Sequence, residues 1–172
     1  MKFNKNRFLR LLKLKTDLGI SGIYHENYSK YSLLSSYTAL LENYTLWQHR
    51  NEYAKILTLF VEKKIDFDSF LRQFSDLYST NLSSYEAIVR KLEEAVSTNS
   101  NFSSITIDYN PQSKGFGIIL ADLADFFEVY DPNLELDDHL NDSTSVVFGM
   151  CDQLFRENIE SDYLPKIRSY LH

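Results

Sequence analysis

The chain has one cysteine, Cys151, and four scattered histidines, His25, His49, His139 and His172. A lone cysteine closes no internal disulfide. Its neighbours Val146, Val147, Phe148, Met150 and Leu154 mark it as a small buried hydrophobe, and no histidine stands close in sequence to activate it. No two histidines have the spacing of a zinc site, and the Glu-x-x-His motif of di-metal bundles is missing, so neither a metal nor any other cofactor is expected. Gly115-Phe-Gly117 is a bare GxG, short of a phosphate-cradling loop. No apolar run approaches the roughly 20 residues that span a bilayer. No secretory hydrophobic region follows the basic start. These absences lead to the expectation of a protein without catalytic residues in a reducing compartment, cytoplasmic or alternatively the interior of an organelle.

Hydrophobic and aromatic residues are abundant. Of 172 residues 44% are hydrophobic and 15% aromatic, enough for a packed core and against disorder. The net charge of −6 is unevenly distributed: six basic residues, from Lys2 to Lys15, precede the first acid, Asp17. The rest of the chain therefore carries twice as many acids as bases. Such a body repels nucleic acid and attracts basic proteins.

The organising stretch is residues 118–139. Ile119, Leu123, Phe126, Phe127 and Tyr130 recur at helical spacing, while Asp122, Asp125 and Glu128 follow one another three apart on another flank. Asp131-Pro132-Asn133 ends the helix, because proline disfavours a helical residue before it and lacks a donor. Asp131, Glu135, Asp137, Asp138 and Asp142 continue the acidic run. Carboxylates on the polar flank of an amphipathic helix are ordinarily solvated, so Asp122 and Asp125 are read as a charged surface and not as an acid–base pair.

The remaining pattern predicts an all-α fold. Residues 1–22 form a basic amphipathic segment with Phe8, Leu11 and Leu12 on one face, suited either to weak peripheral contact of residues 1–16 with an anionic membrane or to docking on the core. Gly19 and Gly22 interrupt it. Residues 23–172 are expected as a single helical-bundle domain. A long helical pattern rich in Tyr, Ser and Leu runs from 27 towards 60 with a break near 48–52. Asp66 caps a helix whose stripe includes Phe67, Phe70 and Phe74. The polar run Asn81–Ser84 is expected to break that helix, giving a hairpin with a second helix carrying Tyr85, Ile88, Val89, Leu92 and Val96. A long polar loop follows at about 97–117, in which residues 105–109 alternate like a strand. Asp142 or Ser143 starts another helix, and Pro165 opens a short terminal one. An antiparallel four-helix bundle between about 51 and 159, with additional N-terminal helices, is the expected packing.

Two pieces, YAKILTLFVEKKIDFDSFLRQFSDLY (53–78) and LADLADFFEVYDPN (120–133), together resemble the colicin D type immunity proteins, a bacterial self-protection family of small acidic helical bundles. Phe60, Ile65, Phe70 and Phe74 match the first motif, and Phe127, Tyr130 and Pro132 the second. The resemblance covers the middle and C-terminal two thirds. It does not extend to the long N-terminal region or the polar loop, and the glycine often seen before the motif's Ile is missing. It implies a non-catalytic inhibitor that binds a basic partner, a nuclease toxin domain, and covers its active site with carboxylates. The partner-binding residues so implied are Asp122, Asp125, Glu128, Asp131, Glu135, Asp137 and Asp138. The alternative is an accessory subunit of a larger, organellar complex, docking through residues 1–20 and the Tyr-rich helix.

Overall fold

The computed structural model describes residues 3–98, 110–136 and 149–172. Seven α-helices are found among them: α1 (Lys5–Glu26), α2 (Tyr28–Gln48), α3 (Arg50–Val61), α4 (Phe67–Ser97), α5 (Ser113–Phe126), α6 (Asp152–Asn158) and α7 (Leu164–Arg168). A 3-10 turn, Phe127–Val129, extends α5, and a π turn, Ile159–Tyr163, joins α6 to α7. No strand occurs among the described residues, where one isolated parallel bridge pairs Tyr130 with Met150. The fold is all-α.

The chain forms two compact units, Met1–Gln48 with Thr80–Lys114, and His49–Ser79 with Gly115–His172. The sequence pattern predicts a short segment, 1–22, followed by a single domain, 23–172. In the first unit the basic helix buries Phe8, Leu9, Leu11 and Leu12 against Ile23, Leu34, Tyr37, Leu40, Leu92 and Val96. The apolar face of residues 1–16 thus lies in a protein core. Gly19 kinks α1 at φ 74°, ψ 168°, a region essentially closed to side-chain-bearing residues.

In the second unit the core is aromatic. Phe60 and Phe70 stack at 4.3 Å, and Phe74 meets Tyr53 and Phe127 edge-on at 5.3 and 4.9 Å. The turn between α3 and α4 closes with Lys63 in the left-handed conformation and the Lys64 amide donating to the Leu59 carbonyl at 2.9 Å. Asp66 then caps α4, its Oδ1 accepting from the Ser69 amide at 2.8 Å, as its position in the sequence predicts.

Three expectations are corrected. The break at Asn81–Ser84 is absent, because α4 runs unbroken from Phe67 to Ser97, and the expected hairpin is one helix. Polarity alone does not stop a helix: Asn81 is buried, and the Ser84 hydroxyl donates back to the Thr80 carbonyl at 2.9 Å. The helix order expected for the four-helix bundle, which counted that hairpin as two helices, changes accordingly. The polar loop also ends earlier than 117: the Asn110 side chain accepts from the Gln112 amide at 2.8 Å in the turn before α5, which starts at Ser113 and so holds Gly115 and Gly117 inside a helix. Gly115 leaves room there for Tyr170, since a Cβ would lie 2.4 Å from the Tyr170 hydroxyl and the tyrosine side chain would have to shift. Lastly, α5 buries Phe116, Leu120 and Leu123: Leu123 belongs to the expected stripe and Phe126, Phe127 and Tyr130 pack on other rings, but Ile119 is only half-buried and Leu120 takes its place in the core. The strand-like residues 105–109 and the helix start at Asp142 or Ser143 lie outside the described residues.

Candidate functional site

The two units differ sharply in charge. By sequence, the first carries 10 Lys and Arg against 7 Asp and Glu, a net of +3, and the second 8 against 17, a net of −9. Of the second unit's acids, 12 lie in residues 115–172, which hold 3 basic residues. This concentration of one sign is larger than the whole-chain value of −6 suggests.

Asp122 and Asp125 are exposed on α5, and Glu128 is exposed in the 3-10 turn that follows. What fixes their backbone is apolar. Phe126 stacks on Phe155 at 4.7 Å and tilts against Tyr163 at 5.2 Å, while Phe127 turns the other way into Phe70 and Phe74. Adjacent aromatics pointing in two directions anchor the helix end, so the carboxylates are held on rigid backbone although their side chains are solvated.

Tyr163 gathers the acids. Its hydroxyl donates to the Asp122 carbonyl at 3.5 Å, and its pKa is pushed above the ordinary phenol value, first by burial and then by the negative charges of Asp122, Asp162 and Asp125. Lys166 lies 5.4 Å from the ring centroid on the same tyrosine. The folded state therefore holds the Tyr163 proton more tightly than the unfolded chain, and that contribution to stability is present below the ordinary pKa of about 10 and is lost as pH rises through the higher folded value. Replacing Asp122 and Asp125 by Asn should lower the Tyr163 midpoint in a spectrophotometric titration without returning it to the ordinary value, because burial, the first cause, remains. An unchanged midpoint would mean that these carboxylates do not act on the ring.

The later acids have other surroundings. Asp131 is half-buried and folds the turn, its Oδ1 accepting from the Asn133 amide at 2.9 Å and the Asn133 side-chain amide at 3.1 Å, while its own amide donates to the Met150 carbonyl at 3.0 Å. Gly149, at φ 125°, lets the strand-like partner pass, since a Cβ there would lie 3.0 Å from the Asp131 Cβ. Glu135 is exposed. Asp137 and Asp138 lie outside the described residues.

Several charged residues of the second unit are not connected with the acidic run by the sequence. Tyr130 stacks on Phe67 at 3.6 Å, and its pKa is raised by burial first, then by Asp152, against the opposing effect of Arg156, with smaller upward contributions from Asp68 and Asp66. Asp66 itself ionises below the usual carboxylate range because the side chain and amide of Ser69 donate to it. Asp162, Asp66, Asp68 and Asp152 are distant from the 118–139 run in sequence, so only the fold associates them with its tyrosines.

Arg156 is another residue that only the fold reveals. Its guanidinium is buried, lies 3.9 Å over the Phe60 ring, donates through Nε to Asp152 at 2.7 Å and through one terminal nitrogen to the carbonyls of Phe60 and Ile65. The role is structural: it satisfies the carbonyl end of α3 and the turn after it. Among the described residues no group of His, Cys, Asp and Glu is arranged to hold a metal ion, and no helix is long and apolar enough to cross a membrane. No protein-family model matches the chain, and no curated protein or solved structure is significantly similar to it.

Proposed function

We propose that the chain is a non-catalytic protein-binding module whose acidic second unit captures a basic protein. The observation that carries this reading is the segregation of charge, −9 in one unit against +3 in the other, with Asp122, Asp125 and Glu128 exposed on backbone anchored by Phe126 and Phe127. A dense field of one sign accelerates encounter with the opposite sign and disfavours nucleic acid. Combined with the resemblance of residues 53–78 and 120–133 to the colicin D type immunity proteins, the partner is a nuclease toxin domain, whose phosphate-binding surface the carboxylates would cover. No cofactor and no catalytic residue enters this function.

The test is to produce the protein encoded beside this chain, assay it for ribonuclease activity, and add this chain at equimolar amount. Stoichiometric inhibition is the expected result. A basic neighbour with nuclease activity that is neither bound nor inhibited would sink the inhibitor reading.

One observation favours the second reading, an accessory subunit in a cytoplasmic or organellar assembly. Around the α1 kink, Leu18, Ile20, Tyr24 and Tyr28 are exposed, Ile20 by 60% and Tyr28 by 64%, a cluster of apolar surface on the first unit. With Phe8, Leu11 and Leu12 buried, this cluster, and not the leucine face of residues 1–16, is the apolar surface that unit would offer a partner. Substituting Ile20 and Tyr28 by Ser separates the readings, since the inhibitor does not need them.

A further inference from the structure

In the second unit Phe67, Tyr130 and Pro132 line a cleft of about 410 Å³ whose other walls are Asp66 and Asp68. We infer that this aromatic groove seats an arginine side chain of a protein partner, with the guanidinium against the Phe67–Tyr130 pair and beside Asp68. The occupant follows from charge and shape. The rings are held parallel at 3.6 Å and 9°, and Phe155 meets both rings edge-on at 5.4 Å, so the aromatic wall is fixed before anything binds. Asp66 is kept ionised by its bonds from Ser69, and Asp68 is exposed one residue beyond Phe67. The α4 N-terminus beside them contributes only about half a positive charge, which two carboxylates outweigh. Asp152 is already paired with Arg156 at 2.7 Å and adds little. A groove that is aromatic and net negative selects a cation over a phosphate or a neutral chain. Arginine fits better than lysine because its planar, weakly hydrated guanidinium stacks on rings and forks onto carboxylates.

The inference rests on the protein-binding reading for the identity of its partner, but the groove's chemistry is testable without one. Labelled protein is titrated with N-acetyl-arginine amide and, in parallel, with the lysine and neutral citrulline counterparts, following the resonances of Phe67, Asp68 and Tyr130. The arginine amide should shift these three residues together, with citrulline binding about tenfold more weakly, since it forfeits both the cation–aromatic and the ionic attraction. Asp68→Asn should weaken the arginine amide about fivefold, the upper range for an exposed ion pair, while Asp122→Asn leaves it unchanged. Citrulline binding equal to arginine, or a loss on Asp122→Asn as large as on Asp68→Asn, would overturn the inference, the latter showing general counter-ion attraction only. Absence of arginine binding with a basic partner still captured would remove the groove and leave the acidic-face reading standing. Arginine binding with no partner captured would do the reverse.

Discussion

Phe70→Ala and Phe74→Ala should each lower stability by about 3 to 5 kcal/mol, and the double variant should barely fold. Both rings are essentially inaccessible, and each is held by other rings: Phe70 stacks on Phe60 at 4.3 Å and meets Phe127 at 5.3 Å, while Phe74 meets Phe127 at 4.9 Å and Tyr53 at 5.3 Å. Truncation removes the transfer energy of a whole ring and leaves a cavity whose walls are rigid aromatics with little freedom to collapse. Because both residues share Phe127, the two losses should not add exactly as independent terms would. Against a total of about 5 to 15 kcal/mol for a domain, the sum still consumes most of the stability. Chemical denaturation checks this, and a double variant with an unchanged midpoint would show that the stripe is not core.

Arg156→Ala should destabilise by about 1.5 to 3 kcal/mol, the range for hydrogen bonds made by a charged group to buried acceptors, since the carboxylate it leaves behind is half-exposed. The loss has three sources: the Phe60 and Ile65 carbonyls lose a charged donor, the Phe60 ring loses the cation above it, and the space of the guanidinium is emptied. Asp152→Asn should cost less than about 1 kcal/mol, because the Asp152 side chain is 47% exposed and water replaces its partner. Arg156→Lys keeps the charge but cannot reach both the carboxylate and the carbonyls with a planar fork, so it should fall between the two. Equal losses for Arg156→Ala and Asp152→Asn would instead make the ion pair, and not the carbonyl contacts, the stabilising element.

The helices were legible where apolar spacing and caps agree, as in the Asp66 cap, the Phe70 and Phe74 positions and the break between Gln48 and Arg50. Composition is a poor guide to conformation elsewhere. Asn81–Ser84 looks like a breaker, yet serine hydroxyls bonding back to the preceding turn are compatible with a helix, and no glycine or proline stands there. Gly115 looks like loop punctuation, but its small size serves the approach of Tyr170, a contact 55 residues away that no local pattern encodes. The same limit applies to the site. Asp122, Asp125 and Glu128 could be read from their spacing, whereas tertiary packing brings Tyr163, with its sequence neighbour Asp162, to Asp122, and Asp66 and Asp68 to Tyr130. Arg156 in sequence is one more base between acids, and only burial separates it from a surface residue.

The central claim, that the acidic unit captures a basic protein, is tested most directly by association kinetics with the protein encoded beside this chain. Wild type and the Asp122→Lys, Asp125→Lys, Glu128→Lys variant are compared as ionic strength rises from about 0.05 to 0.5 M, over which the screening length falls below the size of the face. Wild type should associate at least about tenfold faster at low salt than at high salt, and the variant should be slow throughout with an unchanged melting temperature. Equal rates for the two proteins, insensitive to salt, would contradict the account and place the interface away from these carboxylates.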